Sequence, residues 1–105
     1  MKFAIDVDGV IGEQPEFFAV LTKALRAAGH FVYIVTDFDE HFRDQRVAEL
    51  QEYGVEYDEL VITAQKQEFC RSNGVDFAID DDAREYFPSC EGPFVGIVKI
   101  PRDAP

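Results

Sequence analysis

The sequence predicts an α/β protein: a doubly wound, Rossmann-like three-layer sandwich on a mainly parallel, five-stranded sheet. Three observations predict it. Short apolar runs alternate with stretches of helical periodicity along most of the chain. The runs lack the polar alternation of half-exposed strands, so they read as strands buried on both faces of a parallel sheet. Gly, Pro and Asn punctuate the joints between them. At 105 residues, 47% of them hydrophobic, the chain suits one domain over 1–105 with a real core.

The elements follow in order. KFAID (2–6) is a short buried strand. Asp8-Gly9 after it is also a hairpin signal, but Gly12, Gln14 and Pro15 break any returning strand at once. PEFFAVLTKALRAA (15–28) spaces Phe17, Phe18, Leu21, Leu25 and Ala28 for one face of a helix. Pro15 suits its first turn and Gly29 its end. FVYIVT (31–36) is β-branched and aromatic, hence a strand. A second helix is expected from about Glu40 to Tyr53, with Phe42, Val47, Leu50 and Tyr53 toward one side and Gly54 as its stop. ELVIT (59–63) is a strand, 65–72 a helix closed by Asn73-Gly74, and DFAID (76–80) a strand. A helical turn at 83–87, a loop at 88–93 and a last strand FVGIVKI (94–100) complete the chain.

Composition narrows the function classes. Ten basic residues against 21 acidic ones give a net charge of −11, which argues against nucleic-acid binding, where cations must displace phosphate counterions. Cys70 and Cys90 have no metal-ligand spacing and are too few for a disulfide framework. Free thiols and a reducing cytoplasm are the expectation. No apolar run approaches the roughly 18 residues of a membrane span.

The unusual polar residues fall at the expected carboxyl ends of strands, where open α/β sheets bind ligands. The first strand ends in Asp6, with Asp8 following; the second ends in Thr36; the fourth ends in Asp80, Asp81 and Asp82; Lys66 opens the helix after the third. Carboxylates brought together repel, and a hard cation such as Mg²⁺ removes that cost. Asp6 and one of Asp80–Asp82 could supply such a site, and Lys66 and backbone N–H groups could then hold a phosphate. An aspartate beside a bound phosphorus is a nucleophile, and a carboxylate two residues on can move a proton. Singly, Thr36 is a strand residue, Lys66 a solvated lysine and Asp80–Asp82 a helix cap. Their joint order points to phosphoryl transfer. His30 and His41 read as structural or surface residues, and Arg43, Arg46 and Arg84 as solvated helix-surface cations first and substrate clamps a distant second.

The order DxDG, a strand ending in Thr, a Lys, and a strand ending in IDDD resembles the haloacid dehalogenase (HAD) superfamily of phosphohydrolases over residues 3 to about 86. The resemblance implies a HAD-like fold and a Mg²⁺-dependent phosphatase. Asp6 would be nucleophile and metal ligand. Asp8 would be general acid/base and give its carbonyl to the metal. Thr36 and Lys66 would bind the phosphoryl group, Asp81 would be the likelier further metal ligand, and Asp80 would stand behind it or alongside. Only 27 residues separate Asp8 from Thr36 and 29 separate Thr36 from Lys66, so no cap domain is expected. Water would then be excluded by a bulky substrate or by a second subunit of a homo-oligomer. The expected substrate is a small phosphomonoester, nucleotide-like first, with a phosphoprotein next. Asp37, Phe38 and Asp39 stand where many similar phosphatases have small residues or an arginine. Two added negative charges there weaken anion binding unless they point away or bind another cation. The alternative is therefore a weak or inactive metal- or phosphate-binding protein of the same fold. A receiver-like module would end its third strand in a phosphoacceptor aspartate; here that strand ends in Ile62-Thr63.

Overall fold

The β-branched and aromatic runs form strands, and the periodic stretches between them form helices. The computed structural model describes residues 1–94 and 96–101. In chain order the elements are β1 (Lys2–Ile5), α1 (Pro15–Ala27), β2 (Phe31–Thr36), α2 (Arg43–Tyr53), β3 (Glu59–Ile62), α3 (Lys66–Ser72), β4 (Phe77–Ile79), α4 (Ala83–Tyr86), β5 (Glu91–Phe94) and β6 (Ile97–Lys99). No helix among the described residues is long and apolar enough to cross a membrane.

The sheet corrects the expectation of five mainly parallel strands: among the described residues it has six and is mixed, in the order β3-β2-β1-β4-β6-β5. Strands β1 to β4 are mutually parallel, while β6 runs antiparallel to β4 and β5 antiparallel to β6. The expected loop at 88–93 and single strand at 94–100 are instead the two arms of a hairpin. Gly96, at φ +83°, lies at its turn in a conformation that glycine adopts without steric cost. Val95, inside the expected strand, lies outside the described residues. Pro93, with no N–H to give a ladder, falls in the strand at the sheet edge. Gly92 lets that strand approach β6 so closely that a Cβ would collide with the Ile97 backbone.

Side chains alternate across each strand and so feed two cores. Ile5, Val32, Ile34 and Leu60 join Phe18 of α1 and Leu50 of α2 in one. Ala4, Tyr33, Val35, Ala78 and Val98 join Cys70 of α3 and Phe87 in the other. Within the first, the helices contribute fewer anchors than their periodicity predicts: Phe17, Phe42 and Val47 are exposed. Both cysteines are free, and burial pushes the Cys70 thiol up to about 12, far from a reactive thiolate.

Chain order turns around β1. From β1 the path goes to β2 and β3 on one side, then returns to β4 on the other. A crevice opens where such a sheet reverses, at the carboxyl ends of the two strands concerned. Here these are β1 and β4, and the residues just past them are Asp6 and Asp80.

Candidate metal and phosphate site

Asp6 leaves β1 with its backbone N–H still donating to the Ile79 carbonyl at 3.0 Å, so the chain end is held in the sheet. Its carboxylate turns back to accept from the Val7 N–H at 2.8 Å. The chain then folds into a tight turn over Val7–Ile11, not a hairpin, with Gly9 at φ +79°. A Cβ at Gly9 would run into the Asp81 carboxylate. The glycine of the DxDG stretch therefore admits Asp81 to the site as well as making the turn.

Lys66, at the start of α3, reaches this crevice from the other core. It is 1% exposed, and its Nζ lies 3.1 Å from Asp6 Oδ1 and 2.7 Å from Asp80 Oδ2. The ring of Tyr86 covers it, with a centroid 4.1 Å away. Asp80 accepts a further bond at Oδ1 from the Asp82 N–H at 2.9 Å. Asp6, Asp80 and Asp81 each present an oxygen within 4.8 Å of the others. Burial above all, and then the nearby Asp80, push the Asp6 carboxyl up to about 7, with Lys66 opposing that rise.

These residues fit a divalent cation. The donors are all carboxylate oxygens, the ligand type a hard ion prefers. With all three carboxylates ionised, one ammonium leaves two negative charges, which the two positive charges of such an ion balance. Asp81, the exposed member, brings neither the Lys66 contact nor the backbone bond that occupies Asp80. Asp80 stands alongside it in the cluster.

Above the cluster lies a cleft of about 240 Å³ lined by Asp6, Asp8, Gly9, Asp37, Lys66, Asp81, Asp82 and Tyr86. Five aspartates face one lysine in it. Of the two acids after Thr36, Asp39 points away and binds the His41 N–H at 2.9 Å, whereas Asp37 lines the cleft and accepts from the Tyr86 hydroxyl at 2.8 Å. That bond to Asp37 pushes the Tyr86 pKa above its ordinary value. Asp82 sits at the start of α4 but its side chain does not cap the helix.

Two expected site residues sit apart from the cleft or at its rim. Thr36 is fully buried, is not among the residues lining the cleft, and its hydroxyl has no hydrogen-bond partner among the described residues. Asp8 lines the rim, where Arg46 holds it: Nη2 lies 2.7 Å from Oδ2 and Nη1 3.4 Å from Oδ1. The reading of Arg46 as a solvated cation is wrong, since it is 3% exposed. Of the other two, Arg43 pairs with Glu40 at 2.6 Å on the surface. Helical periodicity gave no signal for Arg46, whose partners include Asp8, 38 residues away in the chain.

No protein-family model, curated protein or solved structure matches the chain.

Proposed function

We propose that this chain is a Mg²⁺-dependent phosphohydrolase of the haloacid dehalogenase type, on a capless, doubly wound three-layer fold. Its substrate on this reading is a small phosphomonoester, with Asp6 as nucleophile and Asp8 as general acid/base. One observation carries the reading. Asp6 and Asp80, at the ends of neighbouring strands, share the buried Lys66 and converge with Asp81 on one point.

In the first step an Asp6 oxygen attacks phosphorus while the ester P–O bond breaks. Asp8 gives its proton to the leaving oxygen. In the second, Asp8 takes a proton from water, whose oxygen attacks the phosphorus of the aspartyl-phosphate and releases Asp6 and phosphate. Lys66 fixes the Asp6 carboxylate and carries positive charge toward the phosphoryl oxygens. Thr36, expected to bind the phosphoryl group, is buried outside the cleft, and its unpaired hydroxyl costs about 1–3 kcal/mol. Bound through Asp6, Asp81 and Asp80, Mg²⁺ would keep Asp6 ionised near neutrality and offset the cleft's negative charge.

A second reading has a specific observation behind it. Asp37, Asp81 and Asp82 add negative charge to a cleft with one cation, which favours a metal-binding protein that turns nothing over. One assay separates the two: a panel of phosphomonoesters with and without Mg²⁺, using wild type and Asp6→Asn. The phosphohydrolase reading expects Mg²⁺-dependent release of phosphate that Asp6→Asn abolishes. Metal binding by calorimetry with no turnover of any substrate would favour the second.

A further inference from the structure

Arg46 is not among the residues this chemistry requires, yet it is nearly as buried as Lys66. Taking a guanidinium out of water is costly unless its partners are good. Its partners form three sides of a mount. Glu49, three residues on, takes Nη1 at 2.7 Å. The ring of Phe38 lies against the guanidinium, with its centroid 3.9 Å from Cζ. The remaining side is the two-point grip on Asp8. Among the described residues the Nε N–H has no partner, so the contacts of the guanidinium are concentrated on its two Nη groups.

We propose that Arg46 is a positioning residue for Asp8, fixing the carboxyl group that gives a proton to the leaving oxygen in the first step and takes one from water in the second. The proposal rests on the phosphohydrolase reading above. Asp8 needs such a hold because its side chain is 70% exposed and its neighbour Gly9 makes a sharp turn. An exposed aspartate spreads over several rotamers, and a misplaced proton donor forfeits most of its effect. The planar fork of arginine orients a carboxylate, where the point charge of lysine would only attract it. Glu49 and Phe38 fix the fork in turn. A direct role in binding substrate phosphate is excluded by the same contacts, because two carboxylates and a ring already cover the guanidinium.

The test uses two substrates that differ in their need for a proton donor. Nitrophenolate leaves p-nitrophenyl phosphate unprotonated, whereas the alkoxide of a simple alkyl phosphate must be protonated. In single-turnover measurements of the first step, Arg46→Lys should slow transfer from the alkyl phosphate by about 100-fold and leave transfer from p-nitrophenyl phosphate close to wild type. Hydrolysis of the aspartyl-phosphate, where Asp8 is the base, should slow alike after either substrate. Phe38→Leu, which keeps every charge, should show a smaller loss with the same pattern. Equal losses in the first step on both substrates, or first-step transfer from the alkyl phosphate unchanged or raised, would overturn the proposal and leave the phosphohydrolase reading standing. A wild type that cleaves neither substrate would instead overturn that reading, and the catalytic role of Arg46 with it. In the metal-free protein, ¹⁵N NMR should find hindered rotation of the Arg46 guanidinium that Asp8→Asn releases. Rotation already free in wild type would refute the hold on Asp8 whatever the activity.

Discussion

The cleft is served by two buried cations, one from each face of the sheet. Lys66 comes from α3 and Arg46 from α2, each meets two carboxylates, and each lies against an aromatic ring. Their acids differ. Those of Lys66, Asp6 and Asp80, are buried with it, while Asp8 on Arg46 stands 70% exposed. In a buried set every charge depends on the others, because water cannot replace a lost partner. An exposed acid loses only orientation. The contrast teaches that charge of the same kind can sit at two depths: on the proposed function the inner set holds a ligand, and the outer pair aims a group.

The largest effect that can break this comparison is removal of the inner cation. Lys66→Met leaves Asp6 and Asp80 buried without their shared partner and should cost about 3–5 kcal/mol, read by urea denaturation of the metal-free protein. Asp8→Asn should cost less, about 1–2 kcal/mol in the same measurement, since its own carboxylate is largely solvated and Glu49 still pairs with the buried Arg46. Equal costs would erase the distinction in depth.

A pH series sharpens it. Asp6 titrates at about 7 when folded against 3.8 as an ordinary aspartate, so between those values the folded state holds more protons than the unfolded one. Stability therefore falls as pH rises from about 4 through 7, as linkage requires when the native state binds the extra proton. Wild type should lose stability relative to Asp6→Asn across that window, and saturating Mg²⁺ should flatten the difference. The smallest effect belongs to the cleft wall. Tyr86→Phe deletes the exposed hydroxyl bond to Asp37 and should change stability by less than about 0.5 kcal/mol.

Much of the molecule was legible because local pattern and fold agree. Runs such as FVYIVT are apolar on both faces, and β2 is buried along nearly its whole length. Asp6, Lys66, Asp80 and Asp81 could be placed together from order alone, since the carboxyl ends of parallel strands share one rim. The hairpin at the far edge was not legible. Pro93 reads as a loop, and Gly96 has no marker separating a turn from a strand glycine. Arg46 was missed for a different reason. Its helix has a weak apolar stripe, and its burial is set by Phe38 and by Asp8, 38 residues away in sequence. Phe17, Phe42 and Val47 err the other way: helical spacing says which residues share a side, and only the docked helix decides how far that side is covered.

The most direct measurement of the central claim is ¹⁹F NMR of the protein with beryllium fluoride, a mimic of the phosphoryl group, with and without Mg²⁺. Capture of the mimic by Asp6 beside the shared cation predicts new bound resonances that require Mg²⁺ and vanish in Asp6→Asn. Spectra of wild type and Asp6→Asn that match, with fluoride free in both, would contradict it.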